Sequence, residues 1–271
     1  MIDGTLICPV CGKRLYRDGK SFFCDSPKRH CYDVSAAGHV NLLPGRATGG
    51  DGKEAVKART EFLSLGHYKP ISDKICEMIG ELDGATVIDA GCGEGYYTNN
   101  IALKTGADVY GFDLSKEAVI AASKQAGRSG INNSLFCVAG IYSLPVRDEC
   151  ADVVTNIFAP CAENEFCRVL KRGGAIVLVS AGKDHLMGLK RAIYDSVYAN
   201  EERADTPSQM KLAERAELKY LIRLDNGRDI RNLFSMTPYS YRTSESDYKK
   251  LLSLDSLETE VNVEIALYRK E

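Results

Sequence analysis

From residue 86 onward the chain alternates short apolar runs with amphipathic stretches. Thr86–Ala90, Ala107–Asp113, Ser134–Val138, Ala151–Phe158 and Ala175–Ser180 are the apolar runs. Runs this short and this apolar suit parallel strands covered on both faces. Between them Ser115–Gly127 has helical spacing, with Ser115 as N-cap and Glu117 in the first turn. Glu163–Leu170 reads as a second helix, stopped by Lys171-Arg172-Gly173-Gly174, and His185–Tyr198 as a third. Leu218–Leu224 predicts a sixth strand and Glu258–Tyr268 a closing antiparallel one, with short helices near Asp229–Phe234 and Glu245–Leu252. Strand and helix in alternation imply an α/β fold with a Rossmann-like sheet, here seven-stranded. Upstream, Lys53–Leu65 and Ile71–Leu82 read as amphipathic helices.

The first 52 residues break this rhythm. Tyr32–Leu43 alternates loosely and reads as a short closing strand, and Pro44–Gly52 has the glycine content of a flexible linker. The expected division is a small module over 1–44, a linker over 45–52 and a main domain over 53–271. Within the main domain, helices occupy 53–82 and the sheet-bearing core 83–271.

Cysteine placement explains how so short a module folds. Cys8-Pro-Val-Cys11-Gly sets two thiols two residues apart before a tight turn, and Cys24, His30 and Cys31 follow. Thiolates and imidazole at such spacing suit tetrahedral Zn²⁺, which would supply folding free energy on the order of 10 kcal/mol. The spacing leaves the fourth ligand open between His30 and Cys31. A redox Cys-x-x-Cys is disfavoured, because no βαβ pattern surrounds it. Ten cysteines, with no basic and apolar leader in Met1–Ile7, fit a reducing cytoplasm. No apolar run is long enough to span a bilayer, so no membrane association is expected. The net charge of −2 does not advertise nucleic-acid binding, but residues 1–75 carry +4 and the remainder −6.

The richest stretch is Thr86–Asn100. After the strand come Gly91, Gly93 and Gly95, then residues that open a helix. Glycine lets the backbone turn sharply beside a ligand, and the helix start offers free N–H groups. A dinucleotide fingerprint needs a small residue where Tyr96 stands, so a pyrophosphate site is disfavoured. Asp113, ending the second strand, would accept both ribose hydroxyls of a nucleoside. Together these features resemble the S-adenosylmethionine (SAM) site of class I methyltransferases.

The zinc knuckle, the glycine linker, G-H-Y-K-P at 66–70 and D-A-G-C-G-E-G-Y-Y-T resemble one family closely, the bacterial 23S ribosomal RNA (guanine-N1)-methyltransferases of the RlmA/RrmA group. The likeness runs nearly end to end, through G-H-V-N-L-L-P at 38–44, S-L-P at 143–145, F-A-P-C at 158–161, G-K-D-H-L-M at 182–187 and M-T-P-Y-S-Y-R at 236–242. The resemblance implies a class I SAM-dependent methyltransferase with an N-terminal zinc module that reads rRNA. It also implies a homodimer. The family's zinc ligands fall on Cys8, Cys11, Cys24 and His30. Ser26-Pro27-Lys28 lengthens the Cys24–His30 spacing and keeps Cys31 a competitor. The family's SAM contacts fall on Tyr68, the Gly93-Glu94 turn and His185, beside Gly91, Gly95 and Asp113.

The implied reaction moves a methyl group from SAM to N1 of a guanine in a hairpin loop of 23S rRNA. N1 lies on the Watson–Crick edge, so the base must be unpaired or extruded. N1 also carries a proton at neutral pH, and a base would help remove it. Asp89, Glu94 and Asp113 are better placed to bind SAM, while His185 suits either task. Asn156 and Phe158 stand at the end of the fourth strand, where Asn156 and the backbone there would bond the guanine edge and Phe158 stack on it. Cys161 reads as a buried small residue, since N1 methylation needs no covalent adduct. No catalytic residue is assigned. Tyr239, Tyr241 and Arg242 are candidates for stacking, and Lys13, Arg14, Arg17, Lys28 and Arg29 for phosphate contacts. Two rivals remain: a small-molecule SAM methyltransferase with a structural zinc knuckle, and an RNA-binding protein whose methyltransferase domain is inactive.

Overall fold

The structure is a computed structural model that describes residues 4–45, 49–200 and 207–271. Strands β1 (Leu15–Asp18), β2 (Ser21–Cys24) and β3 (Cys31–Asp33) form a small antiparallel sheet. The large sheet comprises β4 (Val40–Asn41), β5 (Thr86–Ala90), β6 (Asp108–Asp113), β7 (Ser134–Val138), β8 (Ala151–Ile157), β9 (Leu170–Ala181), β10 (Met210–Leu224) and β11 (Leu257–Lys270). Its order is β10-β11-β9-β8-β5-β6-β7-β4. Strands β5 to β9 pair in parallel, and β11 runs antiparallel to both β9 and β10. Seven of these strands are the sheet expected from the alternating pattern.

The eighth comes from the N-terminal module. Val40 and Asn41 pair in parallel with Cys137 and Val138, so the module extends the sheet at its edge. The helices are α1 (Lys53–Ser64), α2 (Lys69–Ile79), α3 (Tyr96–Thr105), α4 (Lys116–Arg128), α5 (Glu163–Val169), α6 (Met187–Ile193), α7 (Gly227–Ser235) and α8 (Glu245–Leu252). One core cluster joins the sheet to α1–α4 and α6–α8 through residues such as Phe62, Ile75, Ile101, Val119 and Leu233. The other joins it to α5 and to Leu6, Leu15, Phe22, Val40 and Leu42 of the module. The zinc module is thus a covering layer of the sheet, not a tethered bead. Each fully buried Leu or Val contributes about 2 kcal/mol. Among the described residues no helix is long and apolar enough to cross a membrane.

The linker also departs from its composition. Arg46–Thr48 lie outside the described residues, but Gly50 sits so close that a Cβ there would lie 2.8 Å from the Ser115 nitrogen. Ser115 Oγ donates to the Asp51 carbonyl at 2.7 Å, and Arg59 pairs with the Asp51 carboxylate at 2.5 Å.

Three other elements differ from the pattern. Lys171–Gly174 does not separate helix from strand: β9 already begins at Leu170, opposite Ala151, and the register slips before Ala175. The helix expected over His185–Tyr198 spans only Met187–Ile193, because Leu186 takes φ 56° at its start and Tyr194 is extended. β10 begins at Met210, eight residues before the expected strand, since β11 supplies a paired edge for a charged sequence.

Candidate active site and metal centre

The small sheet brings Cys8, Cys11, Cys24 and His30 together, with ligand atoms all within 4.8 Å of one another. Cys11 Sγ lies 3.7 Å from Cys24 Sγ, and His30 Nδ1 lies 3.5 Å from Cys8 Sγ and 3.4 Å from Cys24 Sγ. A tetrahedron with Zn–S near 2.3 Å and Zn–N near 2.0 Å has edges of roughly 3.8 and 3.5 Å. The donor set therefore fits zinc with His30 turning Nδ1 inward. Cys31 points elsewhere, exposed, with its thiol 3.8 Å from Asp33. The cluster has its own supports: Tyr32 Oη is 3.0 Å from Cys8 Sγ, and the His30 amide donates to Cys24 Sγ at 3.2 Å. Burial pushes the Cys24 thiol up, but bonds from Ser26 and His30 outweigh it and bring it down to about 6. That favours the thiolate a metal needs.

On the large sheet, β8 and β6 lie on opposite sides of β5, a topological switch point where α/β sheets open a crevice at their carboxyl ends. The Gly91–Gly95 turn lines it. Gly91, at φ 88°, would set a Cβ 2.7 Å from Ala159 Cβ, and Gly95, at φ 83°, one 2.7 Å from Ala122 Cβ. Each is required both by conformation and by crowding. At Gly93 a Cβ would meet only the Arg59 guanidinium, 3.7 Å away, so this side of the turn lies open beside a cation.

Asp113 accepts from the Gly93 amide at 3.0 Å and the Ser115 amide at 2.7 Å, which binds the acid to the glycine turn. Burial nonetheless pushes its carboxyl up. Burial also pushes Glu94 up to about 7, against the pull of Arg59 and of the Glu94 and Tyr96 amides where α3 begins. Asp89 is different. Thr98 and Thr155 hydroxyls satisfy its two oxygens at 2.5 and 2.8 Å, and burial pushes it up to about 6. It ties β5 to α3 and β8 and is fully buried, whereas Asp113 is only partly so.

Tyr68 and His185, far apart in sequence, meet at the carboxyl ends of the strands: Tyr68 Oη lies 3.3 Å from His185 Nε2, and both are buried. Phe158 packs against both rings, stacked on His185 at 6.0 Å, yet stays 42 % exposed. Its φ of 52° is costly for an aromatic residue, a strain typical of ligand sites. Asn156 does not reach this surface. It is fully buried, and its Nδ2 donates to the carbonyls of Ala90 at 2.9 Å and Pro160 at 3.0 Å. It therefore shapes the Phe158 turn instead of offering an edge to guanine. Cys161 is half-buried. Pattern reasoning missed Arg59 and Asp51. Arg59 reads as one charge on an amphipathic helix, and only the folded linker brings Asp51 beside it.

Comparison with known proteins agrees with both halves of the molecule. Residues 81–228 match the model of a methyltransferase domain, and residues 6–47 match that of the RlmA N-terminal zinc ribbon. YxjB of Bacillus subtilis (strain 168), provisionally named a 23S rRNA (guanine-N(1)-)-methyltransferase, is 30 % identical over 97 % of this chain and 96 % of its own. The 23S rRNA (guanine(748)-N(1))-methyltransferase of Streptomyces fradiae is 32 % identical over 69 % of this chain and 67 % of its own. Among solved structures, the YcgJ protein of Bacillus subtilis superposes with a TM-score of 0.53 at 17 % identity, over 74 % of this chain and 97 % of that one.

Proposed function

This chain belongs to the family of 23S rRNA (guanine-N1)-methyltransferases, and we infer that it transfers a methyl group from SAM to N1 of a guanine in 23S rRNA. The observation that carries the inference is the pairing, in one chain, of an intact glycine turn locked to Asp113 with a Cys₃His cluster on the neighbouring small sheet. Bound SAM supplies a methyl group on a positively charged sulfur, so the protein's part is alignment more than activation. The open side of Gly93 and the α3 amides would receive the cofactor, with Gly91 and Gly95 setting the turn and Glu94 beside it. The Asp113 carboxylate would turn to the ribose. Tyr68 and His185 would close the end where the methyl group is presented, and Phe158 offers a face on which an extruded guanine stacks.

The finer parts of the reading follow from the zinc module. Residues 1–44 would read an rRNA hairpin loop, residues 45–52 join the two functions, and 53–271 carry methyl transfer. Exposed Arg29 lies 4.4 Å from the ring centroid of half-buried Phe23, a cation beside an aromatic ring that suits single-stranded RNA. Zn²⁺ would hold the Cys8, Cys11, Cys24 and His30 side chains and so fix that face. A homodimer acting in the cytoplasm completes the reading, and light scattering tests its mass. Primer extension on rRNA from a strain lacking the gene tests the function. The expected result is loss of one strong stop, since N1-methylguanine blocks reverse transcription. An unchanged stop pattern moves the small-molecule rival to first place.

A further inference from the structure

A cavity of about 280 Å³ opens at the amino ends of β8 and β9, the end of the sheet opposite the glycine turn. Its floor is apolar. Met78 and Ile79 at the end of α2, and Leu82 just beyond, line it with Val153 of β8 and Leu267 of β11. Met78, Ile79 and Leu82 are only half-buried, so part of this apolar surface meets water. The rim is charged: Lys171, Arg172 and Arg269 stand against one acid, Asp152.

The rim's shape follows from the sequence of β9. Between the pairs Ala151–Leu170 and Val153–Ala175, β8 advances two residues and β9 five, so β9 bulges outward. Gly173, at φ 75°, turns the bulge, and a Cβ on Gly174 would lie 2.9 Å from the Lys171 carbonyl oxygen and 3.1 Å from that of Asp152. Only glycine suits so tight a return. Arg269 donates to the Gly173 carbonyl at 3.3 Å and fixes the turn from β11. Asp152 is already committed, since it accepts Lys171 Nζ at 2.8 Å and the Thr86 amide at 2.9 Å. Among the described residues, Arg172 and Arg269 form no ion pair with a carboxylate. Lys211, opposite Arg269 in the β10–β11 register, adds to the positive field.

Guanidinium groups without counter-ions beside an apolar wall focus positive potential into the cavity. Each planar fork meets phosphate oxygens two at a time. Three cations against one acid leave two positive charges. That excess matches a phosphate monoester, which carries about −1.5 to −2 at pH 7, or two consecutive diesters of an RNA strand. The apolar floor suits the body that carries the phosphate, and the volume lies at the small end of ligand pockets. We propose that this cavity is a nucleotide-phosphate site separate from the cofactor cleft, with Arg172 and Arg269 holding the phosphate and Met78 and Leu82 the base. Val153 and Ile157, near the two ends of β8, are about 13 Å apart, so the cavity and the cleft hold different ligands. The nucleotide belongs either to the rRNA substrate, a source that rests on the rRNA reading, or to a free mononucleotide.

The test uses the full-length, zinc-loaded protein with the cofactor cleft filled by S-adenosylhomocysteine. NMR of ¹³C-methyl-labelled methionine reads the cavity through Met78, whose signal is assigned by its loss in Met78→Leu. Two probes are added in turn, guanosine 5′-monophosphate and a 23S rRNA fragment. A saturable Met78 shift with the mononucleotide, weakened at least tenfold in Arg172→Ala/Arg269→Ala, identifies a site for free nucleotide. A Met78 shift with the rRNA fragment identifies a backbone contact. In that case the double variant is expected to flatten the slope of log affinity against log salt by about 1.5, the loss of two phosphate contacts. Both substitutions are on exposed side chains, and the melting temperature checks that the fold is kept. The proposal is overturned if neither probe moves the Met78 signal, or if the double variant responds to both as the wild type does. If the protein methylates no 23S rRNA, the functional reading fails, while the response of Met78 to the mononucleotide still decides the cavity.

Discussion

The zinc cluster and the methyl-transfer cleft solve the same problem, holding a few side chains in place, in opposite ways. The cluster draws its ligands from Cys8 to His30 and closes within one small sheet. The cleft gathers Tyr68, the Gly91–Gly95 turn, Asp113 and His185 at the ends of a large sheet. The cluster's thiolates repel one another until a metal compensates them, so its order depends on the ion. The cleft's groups satisfy one another already, Asp113 through the Gly93 and Ser115 amides and His185 through the Asn262 amide. A local site is therefore fragile to ligand loss, and a distributed one to loss of its scaffold.

The largest expected effect tests whether that difference survives the shared core. Because Leu6, Leu15, Val40 and Leu42 pack against the large sheet, zinc loss should reach beyond the module. Cys24→Ser or chelation removes an interaction on the order of 10 kcal/mol. Calorimetry is expected to show the melting of the whole chain shift down. An unchanged main transition would make the module independent after all.

The next effect belongs to the cleft. Glu94 has its folded value raised to about 7, so its contribution is full below the ordinary glutamate range near 4.5 and is lost as pH rises through 7. The loss is on the order of 3 kcal/mol. His185, pushed down to about 4 by burial, acts oppositely: stability falls as pH drops from 6.5 toward 4. Urea unfolding of the cofactor-free protein against pH, beside Glu94→Gln, isolates the first term. The variant is expected to lose the decline between pH 5 and 8, and a parallel curve would place the Glu94 carboxyl in solvent.

Asp113→Ala sharpens the comparison at the ligand. Loss of a carboxylate that organises the glycine turn should weaken SAM binding by roughly 1.5–3 kcal/mol. Titration calorimetry reads it, and unchanged affinity removes Asp113 from the site.

How far each region could be read follows from the same contrast. The strands Thr86–Ala90 and Ser134–Val138 lie where their apolar runs place them, because each is buried by its own sequence. The zinc donors were legible from spacing, apart from the choice between His30 and Cys31. Spacing cannot make that choice, because it turns on which side chain faces inward after the Arg29 backbone takes φ 44°. Tyr68 and His185 came only through resemblance, since nothing local marks residues 117 apart as partners. The role of Val40 as an added strand was not legible either: its partner, Cys137, lies far along the chain. Asn156 misled because a polar residue at a strand end looks available until its amide is seen bonded to Ala90 and Pro160.

The smallest effect discriminates within the cluster. Cys31→Ser should retain zinc and change stability by less than about 0.5 kcal/mol, as an exposed substitution does. His30→Ala should lose the metal. Metal analysis reversing that order would replace His30 by Cys31.

The most direct measurement is methyl transfer itself. Purified zinc-loaded protein is incubated with labelled SAM and unmodified 23S rRNA, which is digested and sequenced by mass spectrometry. One methyl per rRNA, on N1 of a single guanine, is the expected result. Methylation at another atom, or none on RNA despite bound SAM, would contradict the account.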